Sequence, residues 1–171
     1  MNNIIPFPGA SETDGVAQLD AGERLLLWGF RTFAHHRGCD CAIVAAIRQM
    51  YAQCRADMAL ASLDVVVDVF ARTAHTPIEV HGPCCPCVCD CEMHLLHAMA
   101  AAQYGDLDAA RRAFERWLPG LAADWILDPA GAFGHVFQTA GMTLRRRGVG
   151  SRAPAATSPT RIWAAGSNAR H

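Results

Sequence analysis

Five of the chain's eight cysteines fall within eight consecutive positions, in the stretch His81-Gly-Pro-Cys-Cys-Pro-Cys-Val-Cys-Asp-Cys-Glu-Met-His94. Thiols at this density suit soft or borderline metal ions, or thiol redox chemistry. Two kinds of spacing overlap. Cys84 and Cys87 form a C-x-x-C pair and Cys91 and His94 a C-x-x-H pair. These four could close a tetrahedral Zn2+ site with metal–sulfur bonds of about 2.3 Å. The spacer between the pairs, Val88 to Asp90, is too short for a standard zinc finger. Alternatively Cys85, Cys87, Cys89 and Cys91 repeat C-x-C, which suits Cu+ or several bridged zinc ions. An iron–sulfur cluster is a further alternative, although the crowding does not match the common ferredoxin spacings. Pro83 and Pro86 restrict the loop and lower the entropic cost of gathering its sulfurs.

A helix is predicted to start near Cys89 to Cys91, where its free N–H groups would favour thiolate over thiol. Low-pKa thiols bind metal and also oxidise, so a redox-responsive latch on a protein-interaction module is the competing reading. His94 and His97 stand one helical turn apart, and His94 joins the set. The predicted metal ligands are therefore Cys84, Cys85, Cys87, Cys89, Cys91 and His94. His81 and His97, and a second group of His35, His36, Cys39 and Cys41, are candidates whose membership the spacing leaves open. Nearly saturated protein ligation makes the metal structural or sensory. Catalysis would need an open coordination position and a neighbouring acid or base, and no residue pair supplies them.

At 171 residues the chain suits one domain able to bury a sizeable core without cysteine crosslinks. The opening residues lack a basic segment followed by an apolar run, so the expected location is cytoplasmic, where clustered thiols read as ligands or redox groups. "LDVVVDVF" is too short and too acidic to span a bilayer. A net charge of −1 gives no general attraction to nucleic acid or anionic lipid. The expected partners are a metal ion and, through the helical surface, another protein.

The elements that must position the loop are helical. Residues 1–18 read as a flexible leader, rich in Pro, Gly and Ser. Asp20 and Glu23 have capping-box spacing ahead of a helix over 20–37, which Gly38 breaks. Ile43, Ile47, Met50, Cys54 and Met58 recur as one apolar stripe, placing Cys54 in the core, and Asp40 could cap this second helix. "SLDVVVDVFARTA" is read as helix rather than strand, and "PIEVHG" as an extended lead into the loop. "CEMHLLHAMAAAQYG" is helical up to Gly105, and Asp106 caps the next helix. Two more helices are predicted over 121–127 and 129–147, with Asp128 as cap and Arg145, Arg146 and Arg147 at a helix C-terminus. Residues 148–171 read as a disordered tail.

The fold class is thus all-α, a single-domain bundle of about five to seven helices over 19–147 with one irregular Cys-rich loop at 81–91. "LLHAMAAAQYGDLDAARRAFERWLP" resembles one tetratricopeptide-type hairpin, but with no second copy it is read as an ordinary helix pair. Pro83, Cys84, Cys85 and Pro86, set between an extended "IEV" and a helix, resemble the loop of an uncharacterised family of small helical bacterial proteins. That resemblance spans 20–147 and implies a helical fold but no activity.

Overall fold

The computed structural model describes residues 15–146 and 159–163. Seven α-helices are found among them: α1 (Ala21–His36), α2 (Ala42–Gln53), α3 (Asp57–Thr73), α4 (Asp90–Gln103), α5 (Leu107–Phe114), α6 (Gly120–Trp125) and α7 (Leu127–Thr139). A short strand, β1 (Ile78–Val80), joins α3 to the Cys-rich loop. It pairs antiparallel with β2 (Thr160–Ile162), Ile78 standing opposite Ile162. The architecture is the expected all-α bundle. No helix among the described residues is long and apolar enough to cross a membrane.

Helices α3 and α4 both pack on α7, α4 also packs on α5, and α1 lies against α2 and α3. Phe70 of α3 is the hub of the aromatic core. Its ring meets Phe30, Phe114 and Trp117 edge-on, with centroids 5.8–6.0 Å apart, and stacks on Trp163 beyond β2 at 5.9 Å. Pairs of this geometry add about 0.5–1.5 kcal/mol each beyond area burial.

The capping box at Asp20 and Glu23 forms as the spacing predicts, and Asp106 caps α5 by accepting from the Ala109 N–H at 3.2 Å. Gly105 ends the α4 turn with a positive φ of 73°, a conformation glycine adopts without strain. Three elements depart from the sequence expectation. The stripe from Ile43 to Met58 is divided, because the chain reverses through Cys54, Arg55 and Ala56 with Arg55 at φ 57°. Val44, Ile47 and Tyr51 then form the buried face of α2, Cys54 is half-buried at its C-cap, and Met58 is exposed. Cys41, not Asp40, occupies the N-cap of α2. The last helix stops at Thr139, followed by Gly141 at φ 76°. Arg145 and Arg146 therefore do not offset a helix dipole. They tie the chain down through Asp20, at 3.0 Å, and Asp106. Arg147 lies outside the described residues.

Two segments bear on the ends of the chain. Gly15–Gln18, within the expected leader, form a 3-10 turn whose Val16 is fully buried, and Val16 N–H donates to Pro86 O at 3.0 Å. β2 lies within the expected tail, and the rest of leader and tail lies outside the described residues.

The α4–α7 crossing depends on Gly134. A Cβ there would stand 2.6 Å from Gln103 Cα and 2.8 Å from Gln103 Cβ. The neighbouring Gln103 amide clips the end of α7 in place. Its nitrogen donates to Gly134 O and Met142 O, and its oxygen accepts from Leu144 N–H at 2.7 Å. Gly134→Ala is expected to force the two helices apart and cost about 1–3 kcal/mol. Urea denaturation checks this, and an unchanged midpoint would show that the crossing has slack.

Candidate metal centre

The loop is organised by an ion pair that its cysteines conceal in the sequence. Arg31 of α1 and Glu92 of α4 are both fully buried, with side-chain exposures of 0%/0%, and meet in bidentate fashion at 2.7 and 2.8 Å. Such a pair is held only where further hydrogen bonds satisfy the remaining donors and lone pairs. The loop backbone supplies them. Arg31 donates to Cys85 O at 2.6 Å and to Cys87 O at 2.5 Å, while Glu92 accepts from His81 N–H at 2.9 Å and Cys89 N–H at 3.0 Å. With Val16 holding Pro86 O, three consecutive carbonyls of the loop are fixed. His35 adds a fourth tie, its Nε2–H donating to His81 O at 3.1 Å.

The same construction starts α4. Cys89 is the N-cap residue and Glu92 stands at the third helical position, so the Glu92 carboxylate reaches back to the Cys89 N–H while the Cys89 sulfur faces the Glu92 N–H. This is a capping box with cysteine in the place usually held by serine or threonine.

His81, Cys89 and Glu92 place their ligand atoms within 4.8 Å of one another and form the one group of three or more metal-ligating side chains found among the described residues. This group could hold a metal ion. Its members are not equivalent. Glu92 already accepts four hydrogen bonds, two from Arg31 and two from loop N–H groups, which matches the roughly four lone-pair sites of a carboxylate. Its fitting role is to orient the groups around an ion. His81 and Cys89 keep electron pairs to offer. His81 is 3% exposed, and burial pushes its pKa down, leaving the neutral imidazole that ligates metal.

Cys89 corrects the expectation of an easily formed thiolate. Burial first, and the Glu92 charge second, push its thiol up from the ordinary 9.0 to about 12, outweighing the helix N–H that favours ionisation. The protonated sulfur donates to Glu79 O at 3.1 Å. A metal would have to displace this proton. In the metal-free protein at pH 8, iodoacetamide is therefore expected to modify exposed Cys84 early and Cys89 late. Peptide mass spectrometry over time reads the order, and early labelling of Cys89 would contradict the half-buried, protonated thiol.

The other sequence-predicted ligands are distributed around this group. Cys84 is exposed, Cys85 and Cys91 are half-buried, and Cys87 is buried at 8% exposure. None of these four belongs to the group of three, and neither does His94. His94 contacts the Asp90 carbonyl through Nδ1 at 2.7 Å and Arg116 through Nε2 at 3.3 Å. Of the open candidates, His81 enters the centre directly and His35 supports it through the backbone. His97 lines a groove between α4 and α5, and Cys39 and Cys41 lie at the α1–α2 junction. Arg31 and Glu92 were not foreseen. Their signal was available in part, since Glu92 stands three residues after Cys89 and Arg31 sits beside Phe30 on a mostly apolar helix.

The fold and site thus define a helical bundle whose Cys-rich loop is clamped to two helices by a buried ion pair. No family model, curated protein or solved structure matches the chain.

Proposed function

We propose that the loop holds zinc, or another thiophilic ion, in a structural or sensory role. The observation that carries this reading is the clamped backbone, which keeps His81 and Cys89 side by side while Glu92 is fully occupied in orienting them. Two neutral or thiolate ligands do not saturate Zn2+, which takes four in structural sites. The remaining ligands come from the adjacent thiols Cys84, Cys85, Cys87 and Cys91, with His94 as the sequence-derived histidine alternative to His81. The clamp acts on backbone carbonyls of the loop, so ion binding by these sulfurs would leave its hydrogen bonds in place. The chemistry is that of a reducing, cytoplasmic setting.

Purification without a histidine tag under anaerobic conditions, followed by elemental mass spectrometry and visible spectroscopy, tests the reading. Stoichiometric zinc without a visible band supports it. Stoichiometric copper supports a Cu+ site, and iron with sulfide would replace it by a cluster. A protein that arrives metal-free and takes up neither Zn2+ nor Cu+ would overturn it.

A second reading, a redox-responsive interaction module, is favoured by one observation at α2. The Cys41 thiol is held below its ordinary pKa by a hydrogen bond from Cys39 and by N–H groups of the first turn, while Cys39 is pushed up by the same contact. A thiol held toward its thiolate can attack oxidised glutathione to give a mixed disulfide and release one glutathione thiol. The neighbouring thiol then closes the Cys39–Cys41 disulfide by displacing the second. Loss of two mass units confined to the Cys39–Cys41 peptide on exposure to oxidised glutathione is the expected mark of this latch.

A further inference from the structure

The groove between α4 and α5 is a cavity of about 390 Å³ lined by His94, His97, Ala109, Arg112, Ala113 and Arg116. No carboxylate lines it. Arg112 on α5 and Arg116, just past its end, are both exposed, and neither is in an ion pair among the described residues. Asp108, four residues before Arg112, does not line the groove, and three other acidic groups are engaged by other arginines. Glu115 and Asp124 both pair with Arg111, and Asp106 pairs with Arg146.

The histidines sharpen this picture. A guanidinium only donates, so the contact from Arg116 Nη1 makes His94 Nε2 an acceptor, and His94 Nδ1–H then donates to the Asp90 carbonyl. These two contacts orient the His94 ring beside Arg116. His97 carries a buried Nδ1 with no hydrogen-bond partner. The cavity therefore combines two arginines outside any ion pair among the described residues, the His97 ring, and small apolar walls at Ala109 and Ala113.

We propose that this groove binds a small phosphomonoester. The phosphoryl oxygens lie across the Arg112 and Arg116 forks, where two parallel N–H donors match each pair of oxygens. The apolar substituent rests on Ala109 and Ala113, beside the His97 ring. This site stands apart from the His81, Cys89 and Glu92 group and shares with the proposed metal ligands only the alternative histidine, His94.

Phenyl phosphate is the probe, titrated into the full-length protein by isothermal calorimetry, with inorganic phosphate and benzoate as comparators. Saturable one-to-one binding is expected, stronger than for either comparator. Arg112→Gln and Arg116→Gln should each weaken it about tenfold or more, the scale of losing a charged hydrogen bond. Both side chains are exposed, so the urea midpoint should hold and the loss can be assigned to binding. Ala113→Leu, which fills the groove without changing charge, should abolish binding by bulk. Equal binding of benzoate would overturn the phosphoryl assignment, and equal binding of inorganic phosphate would overturn the role of the apolar walls. Absent saturation, or affinity unchanged in the doubly substituted protein, would overturn the site itself.

Discussion

Arg31→Met is expected to lower the free energy of unfolding by about 3–5 kcal/mol, the usual cost of stranding one partner of a buried ion pair. The arithmetic follows from burial. Arg31 and Glu92 have no exposed side-chain surface, so the carboxylate left behind cannot recover water as a substitute partner. The Cys85 and Cys87 carbonyls lose their donor in the same step. Urea denaturation measures the change, and amide hydrogen exchange at Cys85 to Cys89 locates it. Substituting both partners, Arg31→Met with Glu92→Met, is expected to recover part of the loss, because no isolated charge then remains buried. Recovery stays incomplete, since the His81 and Cys89 N–H groups also lose Glu92. A single-variant loss under about 1 kcal/mol would show that the pair is not the clamp described here.

The second large effect concerns metal affinity. Removing an outer partner of a ligand typically costs about 10–100-fold in affinity. Glu92→Gln is expected to fall in that range, because its oxygens orient His81 and Cys89 without bonding the ion. Cys89→Ser and His81→Ala are expected to exceed it, because each deletes a ligand of the proposed site. Competition with a chromophoric zinc chelator under anaerobic conditions gives the ratios. The same titration should show affinity rising with pH, since Cys89 gives up a proton held well above its ordinary value. Equal affinity in wild type and Cys89→Ser would remove Cys89 from the site.

The pattern of what the sequence revealed is physical. Features written in consecutive residues were legible. The Asp20–Glu23 capping box, the Asp106 cap and the Gly105 stop are each decided within one turn, and each appears where its spacing predicts. Valines 65–67 were correctly read as helix because Leu63, Val66, Val67 and Phe70 share one buried face. Features that depend on distant partners were not legible. The 160–162 strand pairs with β1 across the length of the chain, and nothing in its own residues announces that. The early end of α7 is set by Gly141 and by Gln103 reaching from α4, so a helix carried on to the arginines at 145–147 overran it.

The candidate site shows the same division at closer range. The Cys-rich loop is unmistakable as composition, and Cys89 as a helix start follows from local reasoning. Which of its neighbours Cys89 would meet depends on α1 delivering Arg31 from 61 residues away along the chain to Glu92. Burial then reversed the local argument about its ionisation, because a helix N-terminus lowers a thiol pKa only where the thiol is not enclosed beside a carboxylate. His81 entered the centre for the same reason. Its backbone N–H is one of the groups that Glu92 needs.

X-ray absorption at the zinc edge of the anaerobically loaded protein tests the central claim most directly, because it reads the ligand atoms themselves. The account predicts a sulfur-dominated shell at about 2.3 Å with one nitrogen at about 2.0–2.1 Å, the nitrogen contribution being lost in His81→Ala. A shell of oxygen and nitrogen alone, or a spectrum unchanged in Cys89→Ser, would contradict it.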